Sequence, residues 1–419
     1  MTKVYITDVG FITSIGNEYN VVRESLQSMK TGIDLHPELQ RKDSPVKVAG
    51  TLKGFDTSEM DPEDWIYPDT YQIRREVLRS FSPHVLYAWC AMQQAIHTSG
   101  LQTQHISNKH TGIYTASGGS MSTIYQHLHR MNLKGVMACN PLGIIASISG
   151  TLSFNLVSAH KIHGFSCGQA SACASSGHSL GFAFDDVRLG RQKRMFVVGA
   201  EDCDYHSIVP FCGMRALSLD SNPNTASPPF DKTRQGFVST GGGTVLVLEN
   251  EEEVLRRGVT PYAEIVGWGQ ASDGHNVAIS HPDGIGLVDA MDRALTDAGI
   301  KPEKIGYINA HATATQIGDL SEIKAIRQVF GDWATSVPIS STKALTGHGL
   351  SLSSAMEIGF CCLCLREGFL PGSANIKEID PDAADLNILR ESMQSTPDYM
   401  LSNSSGFGGA NVSVVIKRV

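Results

Sequence analysis

The feature that most limits the fold of this 419-residue chain is a weak internal repeat. The helix-like stretch AMQQAIHTSGL (Ala91–Leu101) resembles AMDRALTDAGI (Ala290–Ile300), and a polar link and a short strand-like run follow each copy. A second pair, VYITDVGFITSIG from Val4 and YAEIVGWGQASDG from Tyr262, occurs in the same order. Two matches in one order favour a duplicated α/β unit.

The junction of the two copies is predicted within ENEEEVLRRGVTP, Glu249–Pro261, where charged residues interrupt the apolar pattern. We therefore expect an N-terminal half of residues 1–250 and a C-terminal half of residues 251–419. The second matched pair is farther apart than the first, so the extra residues belong to the N-terminal half. The runs MFVVGAED and GTVLVLEN are apolar and β-branched, as buried strands are.

Composition excludes several classes of protein. The formal net charge of −8 speaks against general nucleic-acid affinity. The N-terminus lacks the apolar core of a signal peptide, and no window of about 18 uninterrupted apolar residues predicts a membrane span. The nine cysteines are therefore expected to be reduced thiols in a cytoplasmic protein. Three of them, Cys361, Cys362 and Cys364, fall in an apolar helix-like run and are predicted to be packing residues.

Cys173 is a candidate nucleophile. It lies in SACASS, at a predicted junction between a strand and a helix. The free N–H groups of a helix start favour a thiolate over a thiol, which would lower the pKa of Cys173. A small residue buried at a tight helix start explains the same pattern, so the local sequence leaves both interpretations open.

Two more loops carry reactive side chains. His311 follows the strand-like run IGYIN, and strand ends in α/β sheets collect functional residues. Lys343 and His348 lie in the Gly/Ser/Thr-rich STKALTGHG, although each alone is compatible with a structural role. Asp319 and Glu322 are predicted to form an N-cap and a capping box, which explains both acids without a metal site.

The glycine-rich runs STGGGTVLV and SGFGGANV match neither nucleotide-binding pattern, G-x-G-x-x-G or G-x-x-x-x-G-K-[ST]. Tight turns whose N–H groups hold an oxyanion suit them better.

Together, SACASS, HATAT, STKALTGH and NSSGFGGAN resemble, in order and spacing, the motifs of β-ketoacyl-acyl carrier protein synthases, condensing enzymes of the thiolase superfamily. The resemblance is greatest to the type I and II elongating ketosynthases. It implies an α/β thiolase fold, in which two βαβαβαββ halves form a five-layered αβαβα body that dimerises.

The resemblance also implies roles for individual residues. Cys173 would carry the acyl chain while malonyl-carrier loses carbon dioxide, and the carbanion would attack the acyl group. Backbone N–H groups of Cys173 and Phe407 would form the oxyanion hole. The remaining implied residues are the catalytic His311, His348 and Lys343, the supporting Glu357, and the substrate-binding Thr313, Thr315, Phe237 and Phe407.

The implied partner is an acyl carrier protein, whose phosphopantetheine arm carries the substrates. Arg74, Arg75 and Arg79 in IRREVLRS are candidates to dock this acidic module, and a solvated face is the alternative. No bound cofactor or metal is expected. The dimer is expected to be a homodimer, or a heterodimer with a subunit like a chain-length factor.

The chain departs from the family pattern at several places. Ala312 and Ala314 stand where glycine or serine is usual, and Gln235 stands where aspartate is usual. Ser351 and Ser354 replace glycines. These changes leave the pathway open between fatty-acid synthesis and a type II polyketide or aryl-polyene-like route.

Two other functions compete with the leading one. A non-catalytic, chain-length-factor-like partner subunit is the main alternative, but such subunits characteristically lack the cysteine. A thiolase-like enzyme that uses free coenzyme A would have a second catalytic cysteine near the C-terminus, and no cysteine follows Cys364.

Overall fold

A mixed ten-stranded sheet forms the centre of the protein, which a computed structural model describes over residues 2–419. Its order is β8-β7-β9-β10-β6-β1-β5-β4-β2-β3 when the strands are numbered along the chain. The strands are β1 (Val4–Ile12), β2 (Thr111–Ala116), β3 (Ser166–Gln169), β4 (Arg194–Glu201), β5 (Gly242–Asn250), β6 (Ala263–Ser272), β7 (Ile305–Asn309), β8 (Ile339–Ser340), β9 (Tyr399–Gly406) and β10 (Ala410–Lys417).

The two sides of this sheet have the same topology. They meet where β1 pairs antiparallel with β6. On one side β2 runs parallel to β3 and β4, and on the other β7 runs parallel to β8 and β9. The hairpin-like pairs β4–β5 and β9–β10 are antiparallel. The repeated order agrees with the predicted duplicated unit, while the division at residue 250 stays a prediction.

Six helices complete the layers. Helices α3 and α6 lie between the two sides of the sheet, α1 and α2 pack on the N-terminal side, and α4 and α5 pack on the C-terminal side. The helices are α1 (Pro83–Ser99), α2 (Thr151–His160), α3 (Ser175–Arg188), α4 (Ile285–Ala298), α5 (Gln316–Phe330) and α6 (Ser353–Glu367).

The central position of α6 follows from its sequence. It is apolar on every side, and all of its residues from Ser353 to Leu365 are buried. A helix without a polar face must be covered on all sides, and here strands of both halves cover it. Cys361, Cys362 and Cys364 are among the buried residues, as expected of packing residues.

The internal repeat corresponds to one packing contact made twice. A Cβ atom at Gly10 in β1 would lie 2.0 Å from the carbonyl oxygen of Ala91 in α1. A Cβ atom at Gly269 in β6 would lie 2.1 Å from the carbonyl oxygen of Ala290 in α4. Each half thus uses a glycine to bring a strand against the same point of its repeated helix.

The remaining helices and strands lie outside these layers. The longest, Met121–Lys134, contains no buried residue. No helix within residues 2–419 combines the length and the apolar character needed to cross a membrane. The remaining α-helices are Tyr19–Gln27, Arg75–Leu78, Thr103–Ile106, Gly143–Ser147, Tyr205–Ile208, Glu251–Arg257 and Lys343–Thr346, and the remaining strands form the pairs Ile33–Leu35 with Val48–Gly50 and Phe369–Leu370 with Met393–Gln394.

Candidate active site

Cys173 lies in the five-residue junction between β3 and α3. The preceding residue, Ala172, has φ 50°, a left-handed conformation that is uncommon for a residue with a side chain. The tight turn places Cys173 two residues before the first residue of α3, where only 6% of the residue is exposed. The structure therefore has the predicted strand-to-helix junction.

His348 is the nearest ring to this sulfur. Its Nε2 atom lies 3.0 Å from Sγ of Cys173, and its Nδ1 atom lies 3.0 Å from Oγ of Ser353. The ring of Phe237 meets the imidazole edge to face at a centroid distance of 5.2 Å. Contacts on three sides therefore fix the orientation of this ring.

His311 follows β7, and its ring is perpendicular to that of His348 at a centroid distance of 5.2 Å. The Glu322 carboxylate accepts the backbone N–H groups of His311 and Ala312, at 2.9 and 2.7 Å. Among residues 2–419, Nδ1 of His311 has no hydrogen-bond partner. The backbone of His311 is thus held firmly, whereas its buried ring nitrogen is not.

The predicted capping box is wrong. Helix α5 begins at Gln316 with Thr315 as its N-cap, and no side chain caps this end. Glu322 instead holds the His311 loop, and Asp319 accepts the backbone N–H of Thr313 at 3.0 Å. The spacing of the two acids resembles a cap, but both accept backbone N–H groups of the loop before the helix, and Asp319 also accepts that of Phe230 at 2.9 Å.

Lys343 forms a buried ion pair with Glu357 of α6. The two side chains are 1% and 0% exposed. Burial raises the pKa of Glu357 to about 7, while Lys343 acts in the opposite direction. The positive charge lies close enough to the site to lower the pKa of both histidines.

The glycine-rich turn at the end of β9 closes over the cysteine. A Cβ atom at Gly406 would lie 2.8 Å from the carbonyl oxygen of Ser171 and 3.0 Å from the backbone nitrogen of Cys173. Gly408 has φ 79°, which favours glycine. Between them lies Phe407, whose backbone N–H group acts to lower the pKa of Cys173.

The predicted lowering of the cysteine pKa is wrong. Burial raises the pKa of Cys173 to about 12, against the lowering effects of Lys343 and of the backbone N–H groups of Cys173 and Phe407. Burial also lowers the pKa of His311 and His348 well below 6.5, and Lys343 adds to this shift. Both imidazoles are therefore neutral at pH 7.

These groups meet in a cavity of about 640 Å³. Thr313 and Thr315 line it, with their hydroxyl oxygens 3.2 Å apart. Arg215 is the one lysine or arginine among its lining residues within the described chain. The predicted residues that line the cavity are Cys173, His311, His348, Thr313, Thr315, Phe237 and Phe407.

The sequence of the chain matches two domain models. The model of the β-ketoacyl synthase N-terminal domain matches residues 1–253, and that of the C-terminal domain matches residues 262–377. The chain belongs to the β-ketoacyl synthase family.

Curated relatives match over the full chain. Identity is 35% to 3-oxoacyl-[acyl-carrier-protein] synthase 1 of Haemophilus influenzae, over 100% of this chain and 99% of the relative. It is 36% to the enzyme of the same name from Escherichia coli K12, over 100% of both chains. The sequence-based prediction of a condensing acyltransferase is confirmed by these relatives.

Solved structures confirm the thiolase-type fold. A β-ketoacyl synthase from Burkholderia phymatum STM815 is 30% identical, with a TM-score of 0.90 over 100% of both chains. The ishigamide ketosynthase/chain length factor is 26% identical, with a TM-score of 0.88 over 100% of this chain and 99% of that chain.

The departures from the ketosynthase pattern have structural consequences. Ala314 keeps a left-handed backbone, φ 66°, although it carries a methyl group. The Ser351 hydroxyl donates to the buried Glu201 carboxylate, and Ser354 donates to Ser404 at 2.6 Å. Ala312 is buried, and Gln235 lines the cavity. The two serines that stand where glycine is usual thus introduce buried hydrogen bonds beside the active site.

The predicted docking arginines lie outside the cavity lining. Arg74, Arg75 and Arg79 have side chains that are 77%, 82% and 63% exposed. Arg79 pairs with Glu63 at 2.8 Å, and Arg74 pairs with Glu76 at 3.2 Å. The cluster is accessible, but part of its charge is already balanced by neighbouring acids.

The sequence motifs predicted the two histidines of the site, but not the side chains that hold them in place. Ser353 contacts the His348 ring, and Glu322 holds the His311 backbone. The sequence offered a signal for Ser353 alone: a hydroxyl five residues after a candidate histidine, at a helix start.

Proposed function

We propose that Cys173 is the nucleophile of a β-ketoacyl-[acyl-carrier-protein] synthase. The observation that carries this proposal is the 3.0 Å contact between Sγ of Cys173 and Nε2 of His348, at the wall of a cavity that His311 also lines. In the first step the sulfur attacks the carbonyl of an acyl-carrier thioester. The thiol proton ends on the departing pantetheine sulfur, and the acyl chain stays on Cys173.

The second step joins two carbons. Malonyl-carrier replaces the first carrier and loses carbon dioxide, and His311 and His348 donate hydrogen bonds to its thioester oxygen as negative charge develops there. The carbanion attacks the acyl carbonyl on Cys173 and forms the new carbon–carbon bond. The sulfur leaves, takes up a proton, and the 3-oxoacyl chain departs on the carrier.

The surroundings of the sulfur support an oxyanion hole. The backbone N–H groups of Cys173 and Phe407 both act to lower the pKa of the Cys173 thiol, which supports their role as two donors to the carbonyl oxygen of an acylated Cys173. Lys343 and Glu357 support the histidines from behind. Since Lys343 lowers the pKa of both rings, it favours the neutral imidazoles that this role requires.

Substrate contacts follow from the cavity walls. The Thr313 and Thr315 hydroxyls suit the amides of a phosphopantetheine arm, and the rings of Phe237 and Phe407 suit its thioester end and the acyl chain. The curated relatives are named for an acyl carrier protein, which we take as the partner here too. The exposed Arg74, Arg75 and Arg79 would attract this acidic module.

We also propose that the chain dimerises through the face beside β3. This edge strand is exposed over Ser166–Gly168, and the segment before it exposes many apolar side chains, which indicates a protein interface. Light scattering will show whether the partner is a second copy. The exposed apolar residues are Met121, Tyr125, Leu128, Leu133, Val136, Met137, Ile144, Ile145, Ile148, Phe154 and Phe165.

The redox state of the cysteines bears on the compartment. All nine cysteines lie in the described residues and are free, including Cys167 at the sheet edge. Free thiols on the surface suit the reducing cytoplasm, which is where we place the enzyme.

The non-catalytic alternative predicts an inert Cys173, whereas the cysteine lines a cavity of about 640 Å³ beside two histidines. The test is condensation of an acyl-carrier with malonyl-carrier by the wild type and by Cys173→Ala, with the acyl-enzyme detected by mass spectrometry. We expect the variant to lose both acylation and condensation. Condensation at the wild-type rate by Cys173→Ala would exclude the proposal. The same assay with short, long and polyunsaturated acyl chains separates the fatty-acid pathway from the polyketide pathways.

A further inference from the structure

The hydroxyl of Ser353 lies at the start of α6, beside the ring of His348. Its Oγ atom is 3.0 Å from Nδ1 of the ring, and Ser353 is 0% exposed. Ser353 follows the N-cap Leu352 and caps no helix end. Within residues 2–419, Nδ1 is the one hydrogen-bond partner of this hydroxyl.

We propose that Ser353 sets the tautomer of His348, so that the ring proton stays on Nε2, the nitrogen that faces Cys173. A buried O–H group without an acceptor is costly, and Nδ1 is the acceptor within reach. Ser353 therefore donates to Nδ1. A neutral imidazole carries one N–H group, which must then be on Nε2.

The thiol of Cys173 favours the opposite tautomer of His348, but only weakly. An S–H group is a poor donor, so a bond from the thiol to Nε2 stabilises the opposite tautomer less than the hydroxyl stabilises this one. The Nε2 atom of His348 lies 3.0 Å from this sulfur. In the tautomer set by Ser353, the Nε2–H group of His348 is directed at the sulfur.

The consequence for the reaction rests on the function proposed above. A histidine that donates to a thioester oxygen must have its proton on the nitrogen that faces the cavity. His348 meets this condition before substrate arrives, since its far nitrogen is occupied by Ser353. Ser353 is a positioning residue, because it contacts the histidine and is not among the residues that line the cavity.

The chain supplies a matched control in the next residue. Ser354 is also buried at the start of α6, but its hydroxyl donates to Ser404 at 2.6 Å and has no contact with His348. Replacing either serine by alanine removes one buried hydroxyl from the same helical turn. Only the change at Ser353 frees Nδ1 of His348.

The first measurement is the steady-state rate of condensation. We expect Ser353→Ala to lower kcat about tenfold, the order of effect of one hydrogen bond, without changing KM. Ser354→Ala is expected to keep the wild-type kcat. Thermal melting of both variants checks that they fold. Ser353→Thr, which keeps the hydroxyl, is expected to retain activity, and Ser353→Gly, which also lacks the hydroxyl, replaces Ser353→Ala if that variant is unstable.

The second measurement reads the tautomer without using activity. Protein labelled with ¹⁵N in its histidines gives separate signals for protonated and unprotonated ring nitrogens, and His348→Gln identifies the signals of His348. We expect the wild type and Ser354→Ala to show the proton on Nε2, and Ser353→Ala to show a share on Nδ1.

Unchanged ring signals and an unchanged kcat in Ser353→Ala would overturn the proposal. An equal loss of kcat in both serine variants, with unchanged ring signals, would also overturn it, because it would indicate a structural effect on the helix start. The ring signals do not depend on turnover. Failure of the proposed function, seen as condensation by Cys173→Ala, is therefore distinguishable from failure of this inference.

Discussion

The two strand-to-helix junctions beside the cavity occupy equivalent places in the two halves, yet they do different work. In the N-terminal half five residues join β3 to α3, and Cys173 is the fourth of them. In the C-terminal half twelve residues join β8 to α6, and they include the helical turn Lys343–Thr346 and His348. The short junction supplies the sulfur of Cys173, whereas the long junction supplies Lys343 and His348.

The difference shows how a duplicated fold can divide a site. Each junction contains one non-glycine residue with a left-handed backbone, Ala172 at φ 50° and Leu350 at φ 49°. Such turns redirect the chain sharply, and they lie next to Cys173 and close to His348. Equivalent positions in the two halves thus converge on one cavity, with the thiol on one side and the charged and ring groups on the other.

The largest expected effect concerns the reactivity of Cys173 in the short junction, where burial and the helix start have opposite effects on the pKa of the thiol. Since burial raises the pKa of Cys173 to about 12, its thiolate fraction grows throughout the accessible range of pH. We expect the rate of alkylation by iodoacetamide to rise about tenfold per pH unit from about pH 7 to about pH 10. Tandem mass spectrometry distinguishes Cys173 from Cys167 within one peptide, and a plateau below about pH 9 would show that the helix start prevails over burial.

The same shift has a consequence for stability. A thiol whose folded pKa lies above its unfolded value stabilises the protein below about pH 9, and this contribution is lost as the pH rises toward about 12. Cys173→Ala removes this contribution. Its unfolding free energy is therefore expected to fall less steeply above about pH 9 than that of the wild type, as denaturant titration at several pH values measures.

The next effect concerns the charge in the long junction. Lys343→Met leaves the Glu357 carboxylate buried without its partner, which typically costs about 3–5 kcal/mol of unfolding free energy. The double variant Lys343→Met with Glu357→Leu removes both charges, and we expect it to regain much of this loss. Urea titration measures both variants. A double variant no more stable than the single one would show that packing, and not charge, is what Lys343 supplies.

The family motifs and the repeat allowed much of this arrangement to be predicted, because they record which residues belong together. The histidines and the glycine-rich turn line the cavity from distant parts of the chain, and Lys343 lies outside this lining but close enough to lower the pKa of both histidines. The role of the Glu322 carboxylate was predicted wrongly because its spacing from Asp319 is that of a helix cap, whereas it accepts backbone N–H groups of the preceding loop and the side-chain amide of Asn403. The pKa of Cys173 was misread because the sequence shows a helix start but not the depth of burial.

A smaller effect is expected for Glu322, whose carboxylate holds the backbone of His311. Glu322→Gln keeps one carbonyl oxygen but places an N–H₂ group against a backbone N–H of the His311 loop. The loss of one acceptor costs about 1–3 kcal/mol. We expect kcat to fall because His311 loses its position, while Cys173 acylation in a single turnover is retained. Equal losses of acylation and condensation would show that Glu322 supports the whole cavity and not His311 alone.

The smallest effect tests the left-handed residues that the two junctions share. A left-handed conformation costs a residue with a side chain about 1–2 kcal/mol. Glycine avoids this cost, but it loses more conformational entropy on folding, which destabilises the folded state by about 0.5–1 kcal/mol. Ala172→Gly is therefore expected to raise the unfolding free energy by about 0.5 kcal/mol, since only a methyl group is removed. Leu350→Gly is expected to lower it, because the Leu350 side chain packs against the apolar cluster that contains Phe237. If both variants are stabilised by the same amount, the Leu350 side chain contributes nothing to the long junction, and the two turns differ only in what they carry.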